Sequence, residues 1–128
     1  MAHTVVHFEI PASDPEKLAD FYRQLFGWQI QKMEGMDYWF IQTVPVDAQG
    51  RPTEPGVNGG VMRRQAPEHP PTNYLEVGSV DEFAGRVQSL GGRLVVPKQA
   101  VPHMGFFAIC LDPDGNVFGL WEGNPQAA

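Results

Sequence analysis

His7 and Glu9 stand two residues apart in a segment, Val5 to Ile10, whose apolar residues alternate, and Glu76 stands in a second such segment, Asn73 to Val77. Alternation sends every second side chain of a strand to the same face, so His7 and Glu9 point one way together, as do Thr72, Tyr74 and Glu76 in the second segment. An imidazole titrates near neutrality. A carboxylate on a half-buried strand is pushed toward the working range of a general base by burial or by a like charge nearby. His7, Glu9 and Glu76 are therefore the candidate catalytic residues, suited to proton transfer. A half-buried histidine hydrogen-bonded to Glu9 or Tyr74, with carboxylates at a wet sheet surface, would produce the same pattern, and the sequence leaves both readings open.

The elements that must position these groups come in two copies. When the first half of the chain is laid over the second, Leu18, Tyr22 and Leu25 fall on Phe83, Val87 and Leu90, so the core of one helix lands on the core of another. Each copy opens with a strand, enters the matched helix, stops at glycine (Gly27; Gly91 and Gly92) and continues as short strand-like runs. Asp14 and Ser13 offer N-cap oxygens, and Pro15 suits a first helical turn, which predicts a helix over about 15–26. Ser79 with Glu82 reads as a capping box for a helix over about 80–90. Strands are predicted at Tyr38 to Val44, Gly59 to Arg63, Leu94 to Val96, Phe106 to Leu111 and Val117 to Trp121. The fold class is α+β, with two βαβββ modules, about 1–66 and about 67–128, forming a curved mixed sheet within a single domain.

The same parity assigns the other faces. Phe8, Ile10, Ala12, Leu75, Val77, Val61 and Leu120 go to the helix side. Asn58, Gly60, Met62, Thr72, Tyr74, Glu76, Gly119 and Trp121 line the open side as a ligand-binding set, a cup with aromatic walls and a few polar groups. Alternation divides Trp39, Phe40, Phe106 and Phe107 between core and open face. Cys110 lies in an apolar run and reads as a small buried hydrophobe, while His103 lies in a loop before a strand.

Composition narrows the function classes. With 128 residues, 42% of them hydrophobic, the chain has enough apolar content for one core. A net charge of -6 opposes binding to nucleic acid or to an anionic membrane, both of which recruit clustered cations. The opening residues lack the pattern of a secretory leader, and no apolar stretch approaches the ~20 residues of a membrane span, so a cytoplasmic location is expected. One cysteine excludes an intrachain disulfide.

Taken together, His7-Phe8-Glu9-Ile10-Pro11, Asp20-Phe21-Tyr22, Phe26-Gly27-Trp28, Leu90-Gly91-Gly92 and the run from Asp112 to Leu120 resemble the vicinal oxygen chelate superfamily, which includes glyoxalase I, bleomycin-resistance proteins and extradiol dioxygenases. Within it the chain is most similar to the glyoxalase-like group. The resemblance implies a divalent ion held by one residue on the first and one on the last strand of each module. Here those positions are His7, Gly60, Thr72 and Gly119, so only His7 matches, and the expectation is no resident metal or other cofactor. Glu9 and Glu76, on the same open face, are the alternative donors beside His7 if an ion is held. The expected function is binding of a small organic molecule in the cup, with the glycines leaving open space where metal ligands would stand. The alternative is a lyase or isomerase acting on a carbonyl compound by proton transfer through His7, Glu9 or Glu76. The resemblance also implies a homodimer.

Overall fold

The computed structural model describes residues 3–128; Met1 and Ala2, part of the opening stretch read above as lacking a leader, lie outside the described residues. The chain forms two compact units, one spanning His7–Pro71 and the other Thr72–Ala128 together with the described residues before His7. Each has the order βαβββ, as the doubled sequence pattern predicts.

The first unit takes β1 (Val5–Ala12) from His7 onward, followed by α1 (Pro15–Phe26), β2 (Gln29–Lys32), β3 (Tyr38–Gln42) and β4 (Gly59–Arg63). The first and last strands run parallel, with Glu9 opposite Gly60, while β4 pairs antiparallel with β3 and β3 with β2. Helix α1 begins where Asp14 accepts a hydrogen bond from the Lys17 backbone N–H at 3.2 Å, and ends at Gly27, whose φ of 72° is the left-handed stop. Its inner face meets the strands through Ala12, Ala19, Ile30, Trp39, Ile41 and Val61, joined by Phe8, Ile10, Leu18, Tyr22 and Trp28. Arg23 fixes the turn out of the helix: its guanidinium donates to the Ile30 carbonyl at 2.6 Å and to Glu16 at 2.9 Å. Glu16 also accepts from the buried Trp39 indole at 2.7 Å, and these two donors hold its carboxyl below the usual range.

The second unit repeats the plan with β5 (Thr72–Glu76), α2 (Val80–Ser89), β6 (Arg93–Val101), β7 (Gly105–Leu111) and β8 (Val117–Gly123). Strand β5 lies parallel to β8, and β8 pairs antiparallel with β7 and β7 with β6. Ser79 accepts from the Glu82 N–H at 3.1 Å, capping α2 as the sequence predicts. The core joins Val77, Val80, Ala84, Ala108, Cys110 and Leu120 to Phe83, Val87, Leu94, Phe106 and Phe118. Burial pushes the Cys110 thiol pKa up, in keeping with a buried hydrophobe. No helix among the described residues is long and apolar enough to cross a membrane.

Three expectations need correcting. Strand β2 was not predicted, because Gln29-Ile30-Gln31-Lys32 carries one apolar side chain and gives alternation almost nothing to register. Strand β6 runs well beyond Leu94 to Val96: register shifts interrupt its pairing with β7, and as the end strand of its unit it accommodates Pro97. Leu25 and Leu90 match each other in the repeat but are exposed (56% and 73%), so the shared helix core is Leu18 with Tyr22 and Phe83 with Val87. Urea denaturation should therefore show Ile41→Ala losing about 3 kcal/mol, while Leu90→Ala stays within about 0.5 kcal/mol of the parent.

Candidate functional site

On the open face of the first unit, parallel pairing of β1 with β4 brings Glu9 opposite Gly60, and antiparallel pairing of β4 with β3 brings Met62 opposite Tyr38 and Gly60 opposite Phe40. His7 is half-buried on this face. Its Nε2 lies 2.5 Å from the Tyr38 hydroxyl, and the two rings stack at 17° with centroids 6.3 Å apart. Tyr38, which the sequence pattern does not single out, is thus a hydrogen-bond partner of His7. Desolvation lowers the His7 pKa to about 4, so the ring is neutral at physiological pH.

The Tyr38 ring lies across Gly60, where a Cβ would collide with the phenol. Gly60 does not leave open space, as expected above; it leaves room for Tyr38. Met62 and Glu9 flank this group half-buried. Asn58, expected on the open face, does different work. Its Oδ1 accepts from the backbone N–H groups of Thr43 and Val44 at 2.7 and 3.1 Å, and its amide nitrogen donates to the Val44 carbonyl at 3.3 Å. Buried at 5% exposure, Asn58 holds the connection between β3 and β4.

The second unit makes the same substitution with a different strand. Tyr74, 5% exposed, sits opposite Gly119 in the β5–β8 register, and its ring covers that glycine so closely that a Cβ there would clash. Phe107 meets Tyr74 edge-on with centroids 6.4 Å apart. One residue pair along, Glu76 is opposite Trp121, which is in turn opposite Phe107 on β7. Glu76, Trp121 and Phe107 thus form a row on one face, with buried Thr72 at the start of β5. The Glu76 backbone N–H donates to the Thr4 carbonyl at 3.0 Å, but its half-buried carboxylate makes no hydrogen bond or ion pair with another described residue.

Among the described residues no three His, Cys, Asp or Glu side chains converge as donors for a metal ion. His103 occupies the turn between β6 and β7 with a φ of 67°, its N–H bonded to the Ala127 carbonyl. Arg63 is held by Asp37 at 2.8 Å, and Arg64 donates to the carbonyls of His69 and Pro11, so neither offers a free anion site.

Tyr38 was legible in principle. Once β3 is placed beside β4, the glycine at residue 60 leaves a gap that a large side chain two residues from Phe40 can reach, but this requires knowing which strands are neighbours.

The chain is 26% identical over 128 residues to "Putative glyoxylase CFP32" of Mycobacterium bovis, an alignment covering 96% of this chain and 45% of that protein. It is 25% identical over 131 residues to "Anthracycline biosynthesis protein DauV" of Streptomyces sp. strain C5, covering 90% of this chain and again 45% of the relative. The chain thus spans less than half the length of these curated relatives. Among solved structures it resembles methylmalonyl-CoA epimerase from Mycobacterium tuberculosis, with a TM-score of 0.69 at 16% identity over 94% of this chain and 88% of that one, a likeness of fold. The family profile matches residues 4–120, nearly the whole of both βαβββ repeats, and the chain belongs to the Glyoxalase/Bleomycin resistance protein/Dioxygenase superfamily.

Proposed function

We propose that the protein binds a small organic molecule without a resident metal, and that the open face of the second unit supplies the main contacts. The observation that carries this reading is the Glu76 carboxylate, half-buried, without a partner among the described residues, and in line with Trp121 and Phe107. A half-buried carboxylate favours a ligand that donates to it, and aromatic side chains favour a flat or apolar body. The ligand class is therefore a flat or apolar compound with a cationic or hydrogen-bond-donating edge.

The absence of metal chemistry rests on the donor set. Of the four positions from which family ligands project, Gly60 and Gly119 have no side chain and are covered by tyrosine rings, Thr72 is a weak ligand for zinc or nickel, and the His7 imidazole is engaged by Tyr38. These residues do not fit a divalent ion.

The His7–Tyr38 pair favours a second reading, an enzyme acting on a carbonyl compound by proton transfer. A neutral imidazole bonded to a phenol can take up or pass on a proton without metal assistance, and Glu9 lies two residues along the same strand. The relatives' names and the epimerase neighbour are compatible with either reading.

Binding is read by quenching of tryptophan fluorescence across a panel of cationic, neutral and anionic aromatic compounds, with Trp121→Phe to locate the signal. Cationic compounds should bind best, and Glu76→Gln should weaken them roughly tenfold to hundredfold, the equivalent of one charged hydrogen bond of about 1.5–3 kcal/mol. Anionic compounds as the best binders, or cationic affinity unchanged by Glu76→Gln, would overturn the proposal.

His7 also sets a pH dependence. Its folded pKa of about 4 is below the unfolded 6.5, so the unfolded chain binds the extra proton between these values. The contribution of His7 to stability is complete above pH 6.5 and falls as the pH drops through 4, by about 3 kcal/mol in all. Stability measured by urea denaturation at pH 7 and pH 4 should differ less in His7→Gln than in the parent. Equal slopes in the two proteins would show that His7 is not held neutral by the fold.

A further inference from the structure

Asn58 and Gly59 form a chemically reactive pair, because a glycine that follows asparagine has no Cβ to obstruct its main-chain nitrogen from reaching the side-chain amide. The other three asparagines, Asn73, Asn116 and Asn124, precede Tyr74, Val117 and Pro125. Packing demands both members of the pair. Gly59 is flanked by Phe8 of β1 and Ile41 of β3, and a Cβ there would collide with the Phe8 carbonyl. Asn58 uses both ends of its amide: Oδ1 accepts from the Thr43 and Val44 N–H groups, and Nδ2 donates to the Val44 carbonyl.

The bonds that make this amide necessary also restrain it. At 5% exposure Asn58 is clasped to the backbone of residues 43–44, with the Thr43 hydroxyl 3.2 Å from Oδ1 and donating to the Val57 carbonyl at 2.7 Å. The amide cannot swing onto Gly59 unless the connection between β3 and β4 opens.

We propose that Asn58 is a latent deamidation site, and that its reaction turns a transient opening of this connection into a permanent change. The Gly59 nitrogen attacks Asn58 Cγ and gives up its proton, the bond from Cγ to Nδ2 breaks, and ammonia leaves a cyclic imide. Water then opens the ring at either carbonyl, giving aspartate or isoaspartate; the net reaction consumes one water and releases one ammonia. Neither product restores the clasp. Aspartate sets a carboxylate oxygen against the Val44 carbonyl, where Nδ2 now donates. Isoaspartate routes the main chain through the former side-chain methylene, lengthening it immediately before β4 and carrying Gly60 out from beneath the Tyr38 ring.

The full chain is incubated at about pH 8, folded in buffer or unfolded in urea, and deamidation is followed by mass spectrometry of the peptide carrying Asn58, with isoaspartyl methyltransferase marking the isoaspartate form. Unfolded chains should react at Asn58 ahead of Asn73, Asn116 and Asn124, and folded chains at least ~100-fold more slowly, the factor by which the closed connection outnumbers its open form. Thr43→Val removes the hydroxyl beside the clasp and should raise the folded rate roughly fivefold, the loss of one hydrogen bond, while leaving the unfolded rate unchanged. The comparison within the parent stands even if Thr43→Val folds poorly. Chains deamidated in urea and then refolded should unfold at lower urea than the parent. Equal folded and unfolded rates in the parent, a folded Thr43→Val that reacts no faster than the parent, or deamidated chains as resistant to urea as the parent would each overturn the proposal.

Discussion

The Tyr38 ring and any side chain at residue 60 compete for one volume, and glycine at that position resolves the competition in favour of the ring. The open face of the first unit follows from this. The phenol is brought to His7, the imidazole is desolvated and stays neutral, and the face presents a hydrogen-bonded pair in place of a strand-borne ligand. The second unit reaches the same end through its first strand, with Tyr74 of β5 lying over Gly119 of β8. Two copies of one ancestral plan have thus filled equivalent gaps with tyrosines from different strands. This is evidence that the gap, more than either tyrosine's place in the sequence, is the shared feature.

Much of the fold was legible because it rests on local rules. Asp14 and Ser79 cap helices where short polar side chains precede a helical pattern, and strand parity sends Val61 and Leu120 to the core while Met62 and Trp121 take the other face. Where a residue's role depends on a neighbouring strand or on a loop backbone, the sequence carried less. Asn58 has the right parity for the open face, but the unpaired N–H groups of Thr43 and Val44 compete for its side chain and win. Leu25 and Leu90 satisfy the helical period yet lie past the edge of the sheet-facing stripe, which a repeat alignment alone cannot reveal.

The candidate residues divide between two environments. His7 belongs to a half-buried pair, its ring hydrogen-bonded to Tyr38 and its charge suppressed by burial. Glu76 belongs to an open row, a carboxylate beside an aromatic strand pair. A hydrogen-bonded pair suits positioning or proton transfer, and an open carboxylate suits recognition. Binding is the reading that uses a carboxylate without a partner among the described residues, whereas the enzymatic reading relies on an imidazole already engaged.

The proposal that the chain holds no divalent ion rests chiefly on tyrosine rings lying over two of the superfamily's four ligand positions, Gly60 and Gly119. Elemental analysis of protein purified without chelators, repeated after incubation with zinc, nickel, manganese or iron and desalting, tests it most directly. The account predicts well under one equivalent per chain, and no difference between the parent and His7→Ala. Near-stoichiometric metal that is lost in His7→Ala would contradict it and make Glu9 and Glu76 the first candidates for the remaining ligands.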